Sequence, residues 1–237
     1  MSPWATPRIH RSIDHEESPI DKKDRSVLNA AVSKGERTRT RIVEQAAGLF
    51  NRFGYGSTPV SALMEETGLK KGGLYNHFPS KEGLAIEAFR RNAAAVGAFL
   101  VSSVEGVEDP LERLRLLCAS SLEIAEGKVV AGGCPVLNAA VEADDALPPL
   151  RTEAAKSAER LRSLLQRELL AARGAGLLVS RCDPDALSQS FLAAIEGGIM
   201  LSRLHGRLEP LRAVLQMLES VVDGLRPEFS KRSAADG

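Results

Sequence analysis

Residues 60–81 read Val60-Ser61-Ala62-Leu63-Met64-Glu65-Glu66-Thr67-Gly68-Leu69-Lys70-Lys71-Gly72-Gly73-Leu74-Tyr75-Asn76-His77-Phe78-Pro79-Ser80-Lys81. Val60, Leu63 and Met64 share one face of a short helix that Gly68 breaks. A second short helix covers Lys71 to Phe78, and Pro79 ends it. Two short helices joined across a glycine-containing turn make a helix-turn-helix. At about 100° per residue, the buried direction of the second helix falls between Leu74 and Phe78. Asn76 lies on the opposite side with Gly72 and Gly73 around it, and Tyr75 and His77 flank this strip.

The strip is almost free of side chains, so the helix backbone can come close to a groove floor. Asn76 suits a base edge, adenine above all. Tyr75 and His77 are placed to reach the two phosphate walls, and Lys70, Lys71 and Lys81 add positive charge there. The Thr58 hydroxyl and the adjacent helix N-terminus suit another phosphate. Arg37, Arg39 and Arg41, at the start of the preceding helix, are expected to reach neighbouring phosphate or the minor groove. Taken singly, each of these residues reads as readily as core or solvated surface. Their joint spacing favours a duplex.

The flanks complete a three-helix unit. Glu36 to Phe53 carries Ile42, Ala46, Leu49, Phe50 and Phe53 on one amphipathic stripe, and Gly54-Tyr55-Gly56 stops it. Thr58-Pro59 reads as an N-cap followed by proline at the first helical position. Ser80 caps the next helix, with Glu82 in its first turn, and that helix runs to about Glu105. Six of the ten aromatics lie within residues 50–89, where a small unit needs large side chains to fill its core.

Here the sequence resembles the TetR family of transcriptional regulators, over about Glu36 to Phe89. The resemblance rests on Ile42, Ala46, Leu49-Phe50 and Gly54-Tyr55, on Thr58 and Gly68, and above all on Lys71 through Lys81. It implies that Thr58, Lys71, Gly73, Tyr75, His77 and Lys81 contact DNA, chiefly its backbone. It also implies a homodimer whose C-terminal domain binds a small effector that releases the DNA. Three positions depart from the family pattern: Met64 where a small residue is usual, Lys70 where Ser or Thr caps the helix, and the helix-weakening Gly72-Gly73 pair.

Charge supports the division. The 237 residues carry no net charge, yet residues 34–91 hold ten basic and six acidic side chains, and residues 92–237 are net negative. Only the basic block is suited to a polyanion. Hydrophobic residues make up 43% and aromatics only 4%, a soluble, helix-favouring composition. Cys118, Cys134 and Cys182 match no metal or CxxC spacing and point to a reduced, cytoplasmic setting. No apolar run approaches the ~20 residues of a membrane span, and residues 1–20 have no signal-peptide pattern.

The expected architecture is all-α, with about nine helices. Residues 1–33 and 227–237 read as disordered tails, 34–82 as the DNA-binding domain, and 83–226 as the ligand-binding and dimerisation domain. Val32-Ser33-Lys34-Gly35 would also serve as a translation start if Val32 came from an alternative start codon. Beyond Glu105, helices are expected from Asp109-Pro110 to near Gly127, Cys134 to about Asp144, Pro148 to Arg173, Asp183-Pro184 to about His205, and Leu208 to Leu225.

The C-terminal part carries fewer signals. Gly132 to Glu142 loosely resembles a segment in one group of TetR relatives. Asn138 and Glu142, at i and i+4, either point into an effector cavity or cap neighbours and meet solvent. Cys134 before a helix start reads as a sensing thiolate or as a buried thiol. Phe191, Ala194, Ile195 and Gly198, with Leu211, Leu215 and Leu218, are expected to form a four-helix dimer interface. No GxSxG, P-loop, HExxH or GxGxxG motif is present, the histidines are scattered, and Asp144-Asp145 reads as solvated charge. No enzyme, cofactor or metal site is therefore expected. The partners expected are double-stranded DNA with a near-palindromic operator, a second copy of the chain, and a small, mostly apolar effector. A helical carrier protein, or an activator or architectural DNA binder, are the other readings.

Overall fold

The computed structural model describes residues 33–143 and 147–227. The expected tails and Asp144-Asp145 lie outside the described residues, apart from Ser33 and Pro227 at their edges. The described residues hold ten helices and no strand: α1 (Lys34–Phe53), α2 (Val60–Thr67), α3 (Lys71–His77), α4 (Lys81–Ser102), α5 (Pro110–Ala119), α6 (Ser121–Ala125), α7 (Pro135–Ala143), α8 (Pro148–Gly174), α9 (Pro184–His205) and α10 (Glu209–Leu225). The helix expected from Asp109 to Gly127 is broken in two at Ser120. There the Ser120 hydroxyl donates to the Leu116 carbonyl at 2.8 Å and the Ser121 hydroxyl to Cys118 at 2.6 Å. Such back-bonding competes with the helical ladder and bends it.

The caps explain most of the boundaries. Ser33 and Glu36 form a reciprocal capping box that starts α1. Ser80 accepts from the Gly83 amide to start α4. Asp109 and Asp183 each cap a helix whose first residue is proline. Gly68, at φ 67°, closes α2 in the left-handed conformation that turns the chain toward α3.

One continuous core runs through the molecule. The small unit is built on Ile42, Phe50, Tyr55, Leu63, Leu74 and Phe78, all fully or nearly fully buried. Tyr55 stacks on Phe50 and meets Phe89 edge-on. Phe89 belongs to α4, so the first half of α4 completes the small unit and its second half enters the bundle. The 27-residue α8 lies at the centre of the bundle and packs against α4, α5, α7 and α9. Its buried Glu168 is held by Arg113 at 2.6 Å and Arg167 at 2.9 Å. None of the described helices is long and apolar enough to cross a membrane.

The last two helices pack against each other, and this reverses the expected interface. Phe191, Ile195, Gly198, Leu211, Leu215 and Leu218 are buried inside the chain's own core, and Ala194 is half-buried. A Cβ at Gly198 would lie 2.9 Å from Leu211 Cδ1 and 3.2 Å from its Cα, so Gly198 serves the close approach of α10 to α9. The outward face consists of Ala193, Met200, Leu201 and Leu204 on α9, with Ala213 and Met217 on α10. Of these, Leu204 is 75% exposed.

Candidate nucleic-acid interface

α3 presents the strip that the sequence outlines. Leu74 and Phe78 are buried in the core of the small unit, whereas Lys71, Gly72, Tyr75 and Asn76 are exposed. A Cβ added at Gly72 would meet nothing within 4 Å, and one at Gly73 would only graze Leu69. The outer side of α3 is thus backbone, bordered by the Tyr75 ring and the half-buried His77. Lys70 begins the helix without a side-chain cap and is exposed. Arg37 is also exposed, one turn into α1.

Four of the expected DNA contacts are engaged within the protein. Thr58 is buried, and its hydroxyl donates to the Gly54 carbonyl at 2.6 Å. The N-cap of α2 is instead Pro59, with no side-chain bond. The Thr58 hydroxyl is therefore a clasp on the α1–α2 turn and not a free phosphate ligand. Arg39 forms a two-pronged ion pair with Glu87 of α4 and lies over the Phe78 ring, 4.3 Å from its centroid. It braces the small unit and does not point toward a groove. Arg41 donates to the Thr67 carbonyl at 3.3 Å, which ties α1 to the end of α2. Lys81 Nζ reaches the Gly56 carbonyl at 2.5 Å, so it steadies the same turn at the edge of the strip.

Asn138 and Glu142 form part of a joint between the small unit and the bundle. Asn138 Nδ2 donates to the Asn51 carbonyl at 3.0 Å and to Gly132 at 2.9 Å. Glu142 accepts from the Tyr55 amide at 2.5 Å, and the Ser57 hydroxyl lies 3.5 Å from its other oxygen. The polar ends of both side chains are thus directed at α1 and the turn after it, and neither residue lines the apolar cavity described below. The reason is geometric, since α7 packs against α1 as well as α4 and α8. Asn51 is the centre of the joint. It is buried, and its Nδ2 donates to the carbonyls of Ala131 at 2.8 Å and Gly133 at 3.0 Å. Gly132, at φ 97°, passes so close that a Cβ would sit 2.5 Å from the Asn51 oxygen.

The next residue, Cys134, faces the bundle interior. Thirteen residues line a cavity of about 40 Å³ there, and all but Ser121, Cys134 and Glu196 are apolar. Cys134 Sγ donates to Glu196 Oε1 at 3.1 Å. Burial, reinforced by the neighbouring Glu196, raises the Cys134 thiol well above its ordinary range. It is a buried thiol and not a poised thiolate.

Sequence reading missed Asn51 and Glu196. The signal for Asn51 was a polar residue at i+4 and i+8 from the inward-facing Ala47 and Val43. The signal for Glu196 was a carboxylate between Ile195 and Ile199 on an otherwise apolar face.

The exposed backbone strip of α3, set across a left-handed glycine turn from α2, defines a helix-turn-helix DNA-binding protein. Comparison with known proteins gives the family. Residues 42–88 match "Bacterial regulatory proteins, tetR family", and residues 110–218 match "Tetracyclin repressor-like, C-terminal domain". The regulator LmrA of Bacillus subtilis is 30% identical over 73% of this chain and 90% of its own. The repressor DhaR of a Mycobacterium species is 26% identical over 80% of this chain and 92% of its own. Among solved structures, a TetR regulator from Chloroflexus aurantiacus is 34% identical, covers 81% of this chain and 98% of its own, and superposes with a TM-score of 0.78. One from Cytophaga hutchinsonii is 31% identical, covers 83% of this chain and 98% of its own, and superposes with the same score. The chain belongs to the TetR family of transcriptional regulators, and is a DNA-binding regulator and not an enzyme.

Proposed function

We propose that this chain is a cytoplasmic, homodimeric repressor that holds a near-palindromic operator and releases it when a small, mostly apolar effector enters the bundle. The bare outer side of α3 carries the reading. Gly72 and Gly73 leave the helix backbone free to approach a groove floor, Asn76 faces the bases, and Tyr75, His77, Lys70 and Lys71 face the phosphates. The apolar face of Ala193, Met200, Leu201, Leu204, Ala213 and Met217 supports pairing with a second copy. That pairing sets two copies of α3 about one helical turn of DNA apart, ~34–36 Å, or a multiple of it. The joint around Asn51 supports release. An occupant that displaces Cys134 or α7 also displaces α1, and with it the spacing of the two reading helices. The homologous DhaR is named as a repressor, which agrees with this sign of regulation.

Selection of bound fragments from genomic DNA tests the reading. The expected product is one near-palindromic site with two half-sites, bound with an affinity that falls steeply with salt. Enrichment of no sequence, or of an isolated half-site bound by a single copy, overturns it.

A further inference from the structure

The bundle cavity contains one polar atom with nothing to bind. Glu196 Oε1 accepts from Cys134, but Glu196 Oε2 is shielded from solvent and has no hydrogen-bond partner. Among the described residues it is the one buried side-chain nitrogen or oxygen in that condition. The other polar wall groups offer it nothing, since the Ser121 hydroxyl is committed to the Cys118 carbonyl. Buried acceptors of this kind are normally satisfied in native proteins, so an unsatisfied one on a residue that lines a cavity points to a ligand.

Building on the effector reading above, we propose that Glu196 is the polar anchor of this cavity and that it takes a neutral, mostly apolar molecule through one hydroxyl group, alcohol or phenol. Ten apolar residues in the wall, against three polar ones, require a largely hydrocarbon body. The cavity itself has room for little more than the anchoring end. It shares Val96, Leu161 and Leu164 with a larger groove of about 360 Å³ between α4 and α8, which accommodates the rest of the molecule.

Two observations select a hydroxyl over other donors. Arg160 lines the groove beside Arg90, which is already paired with Glu153, so a cationic ligand meets the positive charge of Arg160 on its way in. The Glu196 carboxyl also sits where burial pushes it up to about 7, so both of its forms are populated near neutral pH. A hydroxyl donates to the ionised carboxylate and accepts from the protonated acid, whereas an ammonium serves only the first. A carboxylate ligand would set two anions together, and a molecule without a donor would leave the ionised Oε2 as it is.

The test uses the full chain without DNA and four probes built on an unbranched six-carbon chain: 1-hexanol, its methyl ether, hexylamine and hexanoate. Calorimetric titration is expected to give 1-hexanol an affinity at least about tenfold above each of the others, the scale of one charge-assisted hydrogen bond. In Glu196→Met the alcohol is expected to lose that advantage and bind like the ether. The ether, hexylamine or hexanoate binding within twofold of the alcohol, in the unaltered protein, overturns the proposal whether or not the variant folds. A folded Glu196→Met that keeps the alcohol preference overturns it as well. Adding the operator separates the two readings. If 1-hexanol binds through Glu196 but DNA affinity never changes, the release mechanism fails and the anchor stands.

Discussion

Asn138 Nδ2 donates to the Asn51 main-chain carbonyl at 3.0 Å, which fastens α7 of the bundle to α1 of the DNA-reading unit. Asn51 returns two bonds of its own to Ala131 and Gly133. Asn51→Ala leaves these two carbonyls short of partners and removes the Oδ1 acceptor of the Tyr55 hydroxyl, whereas the Asn138 amide keeps the main-chain carbonyls of residue 51 and Gly132. The expected loss of unfolding free energy is about 1–3 kcal/mol, measured by urea denaturation. A variant as stable as the parent would mean that the joint contributes nothing.

Gly72→Ala is expected to act in opposite directions on fold and function. The site is helical and open, so alanine raises stability by up to ~1 kcal/mol. On DNA the same methyl group stands between the α3 backbone and the groove floor. Operator affinity is expected to fall by tenfold or more while thermal unfolding moves upward. Unchanged affinity would show that α3 does not approach DNA by this face.

Leu204→Asp with Met217→Glu is expected to yield folded monomers, detected by sedimentation, because both side chains lie on the outward face at 75% and 50% exposure. Leu211→Ala contrasts with it. Leu211 is fully buried within the chain, so the truncation costs about 2–5 kcal/mol and acts on folding rather than on self-association. A dimer that survives the double charge substitution would place the interface elsewhere.

Glu196 gives stability a defined pH slope. Its carboxyl is raised by burial from an ordinary value of 4.5 to about 7 in the folded chain. Below pH 4.5 both states hold the proton and the residue contributes no difference. Between 4.5 and 7 the unfolded chain ionises first, so rising pH favours unfolding; above 7 the penalty is constant. Glu196→Gln removes this term. Its advantage over the parent is expected to grow from near zero at pH 4.5 to on the order of 3 kcal/mol at pH 8. An advantage independent of pH would contradict a buried, titrating carboxyl.

Local signals survived the step from sequence to structure, and orientation often did not. Gly68 and Pro79 bound α2 and α3 because backbone geometry enforces those breaks whatever surrounds them. Thr58 fits the pattern of a cap, but the same hydroxyl satisfies the carbonyl four residues back, and nothing in the Thr-Pro pair decides between the two. Arg39 sits in a basic run, yet its partner Glu87 is 48 residues away and became visible only once α4 packed on α1. α9 is apolar on more than one side. Its most apolar stripe reads as a surface for a partner copy, whereas the chain's own core claims that stripe and leaves Met200, Leu201 and Leu204 outside. Glu196 was hidden for a similar reason, since only the assembled bundle shows that burial, with no cation beside it among the described residues, raises its carboxyl.

The clearance at Gly132 sets a rule for building hybrid regulators. With the Asn51 oxygen 2.5 Å from where any Cβ would stand, the seam between the DNA-binding unit and the bundle is a matched surface and not a tether. A graft cut in the linker before α4 would pair a foreign α1 with this loop and lose the fit. A working exchange has to carry the end of α1 together with residues 131–142, as one transplanted piece.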